Sequence, residues 1–239
     1  MSELVRILDA DPGLGQALNA EERAQAARYA VAEVLRLEPG PWDAGRVDSA
    51  PGRLGLLVIE GLIKREVRIA GSECAELLGE GDVLRPWDGD AGGFTQVGGG
   101  FEVLEPTRIA LLDRRFAAAA GRWPQLVDAI LGRCVARSRA LAFHMALSHL
   151  NRVNVRLLAL FWHLADRWGR VGTAGVIVPL HLTHRTLAQL VGAQRPSVTT
   201  ALGALADERR VTRRPDGSWL LHGEPPAGLR IAAVEHAAA

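Results

Sequence analysis

The sequence predicts an α+β chain: an N-terminal antiparallel β-roll (jelly roll), one long helix, and a C-terminal unit of short helices with a hairpin. Three observations carry this. Short apolar and alternating runs separated by glycines fill residues 52–115, as in antiparallel sandwiches and rolls. The period turns helical at Pro124 and stays so for seven turns. Two short apolar-faced segments then flank a glycine turn at 183–207, and a Pro-Asp-Gly turn follows. These changes of texture divide the chain into 1–120, 121–150 and 151–239. A chain of 239 residues, 48% hydrophobic and 23% charged, has enough apolar material for two modest cores.

In chain order, residues 19–37 read as a helix: Asn19 can cap, Glu21 and Glu22 suit the first turn, and alanines follow. Pro39, Gly40 and Pro41 stop it. LGLLVIEG (54–61), IKREVRIA (63–70), AELLGEGD (75–82), FEVLE (101–105) and TRIALLD (107–113) read as separate short strands. Gly71, Gly79, Gly81, Gly89, Gly92, Gly93 and the QVGGG run at 96–100 supply turns and bends. From Pro124, the residues Val127, Leu131, Cys134, Ser138, Leu141, Met145 and Ser148 recur with alternating spacings of four and three. That is a coiled-coil seam on a helix of roughly 26 residues, on the order of 40 Å long. A second helix, 151–168, has one apolar face. GVIVPL (175–180) reads as a strand, and RRVTRR (209–214) with SWLLH (218–222) as a hairpin. The Pro- and Ala-rich stretch after Gly223 has no apolar period and reads as loose.

Charge sharpens the division. Residues 1–120 hold 13 Lys and Arg against 20 Asp and Glu, a net −7; residues 121–239 hold 15 against 7, a net +8. A basic half suits a polyanionic partner. The two cysteines, Cys74 and Cys134, exclude a disulfide scaffold and any four-cysteine cluster. No apolar run reaches membrane-spanning length and the N-terminus has no secretory pattern, so a cytoplasmic protein without membrane contact is expected. No nucleophile–base pair, phosphate loop or carboxylate dyad stands out, so no enzyme, cofactor or metal site is expected. His181 and His184 straddle a strand–helix junction and make a poor zinc pair. Cys134 is expected to be a buried, inert thiol, and Trp87 a core or lid residue.

The informative stretch is LTHRTLAQLVGAQRPSVTTALGALADERRV, 182–211. Thr183 can cap a first helix whose stripe is Leu187, Leu190 and Val191. Ala188 is small at a close crossing, Gly192 permits the turn, and Pro196 opens a second helix. At 100° per residue, Ala201, Leu202 and Leu205 fall within about 60° of Val198, whereas Pro196, Thr199, Thr200, Gly203 and Asp207 fall on or near the other side. This is a helix-turn-helix with a slim outer face, able to enter a DNA major groove. Arg195 stands at the helix end that reaches base edges, with Gln194 beside it; Ser197 and Thr199 can donate to phosphate. With the hairpin arginines Arg213 and Arg214, the motif is a winged helix.

The chain resembles the cyclic-AMP receptor protein/FNR (Crp/Fnr) family of bacterial transcription regulators. The resemblance runs over roughly 30–222 and rests on LTHRTLAQLVGAQRPSVTTAL, with GLLVIEGLIKREV, LLGEGDVLRPW and LEPTRIALLD as roll strands. It implies a cyclic-nucleotide-binding-like sensor domain at 1–120 and a dimerisation helix at 121–150. It implies a winged-helix DNA-binding domain at 151–239 whose helix 195–207 reads a near-palindromic operator. The dimer contacts would be Val127, Leu131, Cys134, Ser138, Leu141 and Met145; the DNA contacts Thr183, Arg185, Gln194, Arg195, Ser197, Thr199, Thr200, Arg213 and Arg214. Double-stranded DNA and a second copy are the implied partners, with room for RNA polymerase and an unidentified small-molecule effector.

Departures shape the expectation. The family's cassette pairs Gly-Glu with a later Arg-Ser/Thr that holds the cyclic phosphate. Here Gly79-Glu80 precedes Gly81-Asp82, no arginine lies between Pro86 and Thr107, and Asp82, Asp88 and Asp90 would repel an anion. Gating by cAMP at the usual place is therefore not expected. All seven histidines lie at 144 or later, which leaves the roll without a haem ligand of that kind. Pro196 and Thr200 stand where the cAMP receptor has an acidic residue and an arginine, so the operator should differ. Two alternatives stay open: a cyclic-nucleotide-responsive regulator with a degenerate cassette, and a winged-helix scaffold that binds protein.

Overall fold

The structure, a computed structural model, describes residues 3–47, 50–87 and 98–229. Asp88, Gly89, Asp90, Gly92, Gly93 and the start of the QVGGG run, all singled out in the sequence, lie outside the described residues, as does the tail from 230. The chain divides into two compact units, Met1–Leu141 and Ala142–Ala239, and the division falls inside the long helix.

The first unit runs β1 (Glu3–Arg6), α1 (Ile7–Ala10), α2 (Ala20–Tyr29), β2 (Val31–Leu37), β3 (Gly40–Trp42), β4 (Gly55–Ile69), β5 (Ser72–Gly79), β6 (Val83–Leu84), β7 (Gly98–Leu112), α3 (Arg114–Ala120) and then α4 (Pro124–Ser148). Its strands pair antiparallel in the order β1-β2-β7-β4-β5, with β3 on β7 and β6 on β4. β4 shows why this folds as a roll. Leu57 and Ile59 join Phe116, Leu126 and Ile130 in one core cluster, beneath the helices. The alternate residues Leu56 and Val58, with Ile63, join Leu78, Leu84 and Ile109 in a second cluster. A strand buried on both faces in this way reads as a continuous apolar run, which is what LGLLVIEG is.

Several sequence expectations change here. Residues 19–37 are not one helix. Asn19 and Glu22 form a capping box for α2, with bonds of 2.9 and 3.1 Å, but the helix ends at Tyr29. β2 follows because Ala32 and Val34, two apart, are buried on one face with Glu33 exposed between them, and the strand pairs with β1 and β7. The runs 54–61 and 63–70 are one strand, β4, bent by register shifts around Gly61. Gly61 has φ +97, and a Cβ there would lie 2.6 Å from Thr107 Cα, so glycine is required both for conformation and for space. The runs 101–105 and 107–113 likewise merge in β7. β1 and α3 were not foreseen.

α4 carries two faces. Leu126 and Ile130 are buried in the first core cluster, and Val127 is half-buried against it. Leu131, Val135 and Met145 are 58%, 51% and 69% exposed; Leu141, Ser138 and Cys134 are exposed too. Cys134 is therefore not the buried thiol expected from its place in an apolar spacing. From Leu131 onward, that spacing marks a face that the described residues leave exposed.

The second unit, beyond the last turns of α4, comprises α5 (Val153–Trp168), β8 (Arg170–Gly172), β9 (Gly175–Val178), α6 (His184–Val191), α7 (Arg195–Asp207), β10 (Val211–Arg213) and β11 (Trp219–Leu221). The strands form a four-stranded antiparallel sheet, β10-β11-β9-β8, so the hairpin is the outer half of a larger wing. Leu160, Phe161, Leu187, Val198, Leu205 and Trp219 are buried, and the Phe161 and Trp219 rings lie 4.9 Å apart.

Candidate nucleic-acid interface

Local chemistry sets the two helices. Thr183 caps α6, its Oγ1 accepting from Thr186 N–H at 3.1 Å. Leu187, Ala188, Leu190 and Val191 are buried. Gly192 ends α6 at φ 60, ψ 48, the left-handed conformation that a side chain disfavours. Arg195 and Pro196 open α7. Val198, Ala201, Leu202 and Leu205 are buried, while Pro196, Thr199, Thr200, Gly203 and Asp207 are all exposed. The outer face anticipated from helical angles is the solvent face.

Thr183, Arg185, Gln194, Arg195, Ser197, Thr199, Thr200 and Arg213 are exposed, and Arg214 is half-buried. Arg185 and Arg195 have no carboxylate partner among the described residues. The threonine hydroxyls are already committed: Thr199 Oγ1 donates to Arg195 O at 3.2 Å, and Thr200 Oγ1 to Pro196 O at 3.3 Å. While those bonds hold, Thr199 cannot donate to a phosphate as its position suggested; each hydroxyl has one proton.

The wing separates its arginines. Asp216 Oδ1 accepts from Ser218 N–H at 3.0 Å and Ser218 Oγ at 2.6 Å, bonds that hold its carboxyl below the usual range. Arg214 pairs with Asp216 at 3.0 Å and donates to Ser218 Oγ at 3.2 Å. Its charge thus braces the turn, so a phosphate would have to compete with Asp216 for it. Arg213 remains exposed, its guanidinium over the Trp219 ring at 5.7 Å.

Two residues escaped the sequence reading. Arg156 of α5 donates to Leu150 O, Val191 O and Gly192 O, tying the loop after α4 to the helix-turn-helix turn. An arginine inside an apolar helix was its only signal. His184, read only as a weak zinc candidate, meets Thr199 Oγ1 through Nδ1 at 2.9 Å. His181 goes elsewhere, to Asp216 O at 3.0 Å, so the two do not share a site. Among the described residues no group of three or more His, Cys, Asp or Glu could hold a metal.

The first unit has a cavity of about 560 Å³ lined by Trp42, Phe101, Arg65, Arg85, Cys134 and Arg137. One of its cations, Arg137, comes from α4 and not from the roll strands. The cations are already engaged. Buried Glu76 takes Arg137 in two bonds of 2.6 and 3.1 Å and Arg65 at 2.9 Å. Burial pushes the Glu76 carboxyl up, but these guanidiniums outweigh it and hold it below the usual range. Arg85 donates to Arg53 O at 3.1 Å and lies 5.9 Å from Trp87, which packs on the second core cluster as expected. The Gly79–Asp82 stretch is a turn closed by Asp82 Oδ2, which accepts from Gly79 N–H at 2.8 Å.

Comparison with known proteins agrees with this geometry. Residues 155–222 match the Crp-like helix-turn-helix domain. The regulatory protein CysR of Synechococcus elongatus is 30% identical over 91 residues, which span 36% of this chain and less than half, 44%, of that protein. Among solved structures, FixK2 from Bradyrhizobium japonicum superposes with a TM-score of 0.60 at 17% identity, over 80% of this chain and 93% of that one. A CRP/FNR-family transcriptional regulator from Thermus thermophilus gives 0.56 at 22% identity, over 80% and 94%. The c-di-GMP responsive global regulator CLP of Xanthomonas campestris gives 0.57 at 16%, over 81% and 95%. The chain thus has the fold of the Crp/Fnr-family regulators and carries a Crp-like helix-turn-helix domain at 155–222.

Proposed function

We propose that the protein is a DNA-binding transcription regulator, not an enzyme, acting in the cytoplasm as a homodimer on a near-palindromic operator. The observation that carries this is the outer face of α7. It is exposed and slim along its whole length, starts at an arginine with no carboxylate partner among the described residues, and stands beside a wing that leaves Arg213 exposed over Trp219. A helix of that shape fits a groove about 12 Å wide, and an unpaired guanidinium can grip guanine O6 and N7 together. Arg185, Gln194, Ser197 and the capping Thr183 flank it with polar groups suited to the backbone.

The second copy is argued from α4. Its exposed residues Leu131, Val135, Leu141 and Met145, with Cys134 and Ser138, lie along one seam, which a like helix would cover across a two-fold axis. Gating by cAMP in the roll is disfavoured because Glu76 already neutralises Arg65 and Arg137. Calorimetry with cAMP, cGMP and cyclic di-GMP tests that point, and micromolar binding would overturn it.

The function is tested by selecting duplexes from a random pool and measuring affinity against salt. A DNA reader should recover a two-fold related motif and lose affinity steeply, by about 0.9 in log K per phosphate contact for each tenfold rise in salt. Flat salt dependence without sequence preference would favour a protein-binding scaffold instead.

A further inference from the structure

One histidine on the proposed DNA face is wired for a proton-dependent contact; the inference rests on the DNA-binding reading above. His184 is the first residue of α6, directly after the capping Thr183, and its Nδ1 lies 2.9 Å from Thr199 Oγ1 on the exposed face of α7. The bonds of Thr199 favour one tautomer. Thr199 has one hydroxyl proton and donates it to Arg195 O. While it does so, its oxygen accepts from His184 and Nδ1 carries the hydrogen. In the neutral ring Nε2 is therefore a bare lone pair, with no hydrogen-bond partner among the described residues. A lone pair cannot bond a phosphate oxygen; a protonated Nε2–H can, with charge assistance.

The charged groups acting on this ring from neighbouring elements are both cations, Arg213 of β10 and Arg195 of α7. Burial first, and these two arginines after it, hold His184 below histidine's ordinary value in the free protein. A DNA backbone laid against the same three residues reverses that balance, because its phosphates neutralise the arginines and accept from the ring.

We propose that His184 is a proton-linked phosphate contact, taking up one proton as DNA binds, so that affinity for DNA rises as pH falls. The sign follows from linkage: the state that binds more protons is favoured by acid. The gain begins below the value His184 has in the complex. It levels off below its value in the free protein, which lies under about 6.5.

The test is fluorescence anisotropy of a labelled duplex between about pH 6 and 8 at constant ionic strength. Wild-type protein should bind several-fold more tightly at the acid end, with a ceiling of about tenfold per pH unit for one proton. His184→Asn keeps a donor for Thr199 but cannot ionise; its profile should be nearly flat, near the alkaline level. His184→Arg is permanently charged and should be flat near the acid level. Thermal melts monitored by circular dichroism check that both variants fold. A His184→Asn protein that retains the wild-type pH dependence overturns the inference, as does a wild-type profile without slope. Failure of the wild type to bind any duplex at low salt would instead remove the DNA-binding reading on which it stands.

Discussion

Arg195 concentrates the proposed specificity. It is exposed, lacks a carboxylate partner among the described residues, and heads the slim helix. Arg195→Ala should reduce discrimination between a selected site and a shuffled one by about 1–3 kcal/mol. Competition binding measures this; a uniform loss on all sequences would recast Arg195 as a phosphate contact. The residues legible from sequence were those whose role is local. Thr183 as a cap, Gly192 at positive φ and Pro196 in a first turn each need only near neighbours. Arg156 and His184 were not legible in their roles, because their partners lie 35 and 15 positions away, at Val191 and Thr199.

Among elements, the tie between β5 and α4 has the clearest energetic content. Glu76 on β5 is 8% exposed and holds Arg137 of α4 and Arg65 of β4. Glu76→Gln should cost the first unit about 1–3 kcal/mol at neutral pH, since it leaves two guanidiniums short of their anion. The partial exposure of Arg65 keeps the figure toward the lower end. The pH sign follows from the lowered carboxyl. Its stabilisation is full above the unfolded value, about 4.3, and fades as pH falls through the lower folded value. Urea midpoints for wild type and Glu76→Gln should therefore converge on acidification, and equal midpoints at pH 7 would show that the tie contributes nothing. At this scale the sequence reading was uneven. The N-cap of α2 at Asn19 was visible, but the helix's end was not, since no local stop precedes β2 and the strand exists only through its pairing with β1 and β7. Merging the split runs in β4 needed the bulge at Gly61 to be seen from the side of Thr107.

For the whole molecule, the proposed dimer has a direct handle. Leu131 is 58% exposed on α4, in the seam proposed to meet a second copy. Leu131→Glu should give a folded monomer where wild type sediments as a dimer, because like charges would face each other across the two-fold axis. Sedimentation velocity with far-ultraviolet circular dichroism separates this from unfolding. An unchanged dimer would place the interface elsewhere.

The sequence by itself determined the α+β class, the long helix, the helix-turn-helix with its buried and exposed faces, and the wing hairpin. Those features follow from periodicity, caps and turns, which act within a few residues. Tertiary structure alone decided that β4 and β7 are single long strands. It also decided that Arg214 braces a turn while Arg213 stays exposed over Trp219, and that Glu76 neutralises two arginines in the cavity. Those outcomes depend on which distant side chains meet, and a lone charge reads the same in sequence whether or not a partner waits for it.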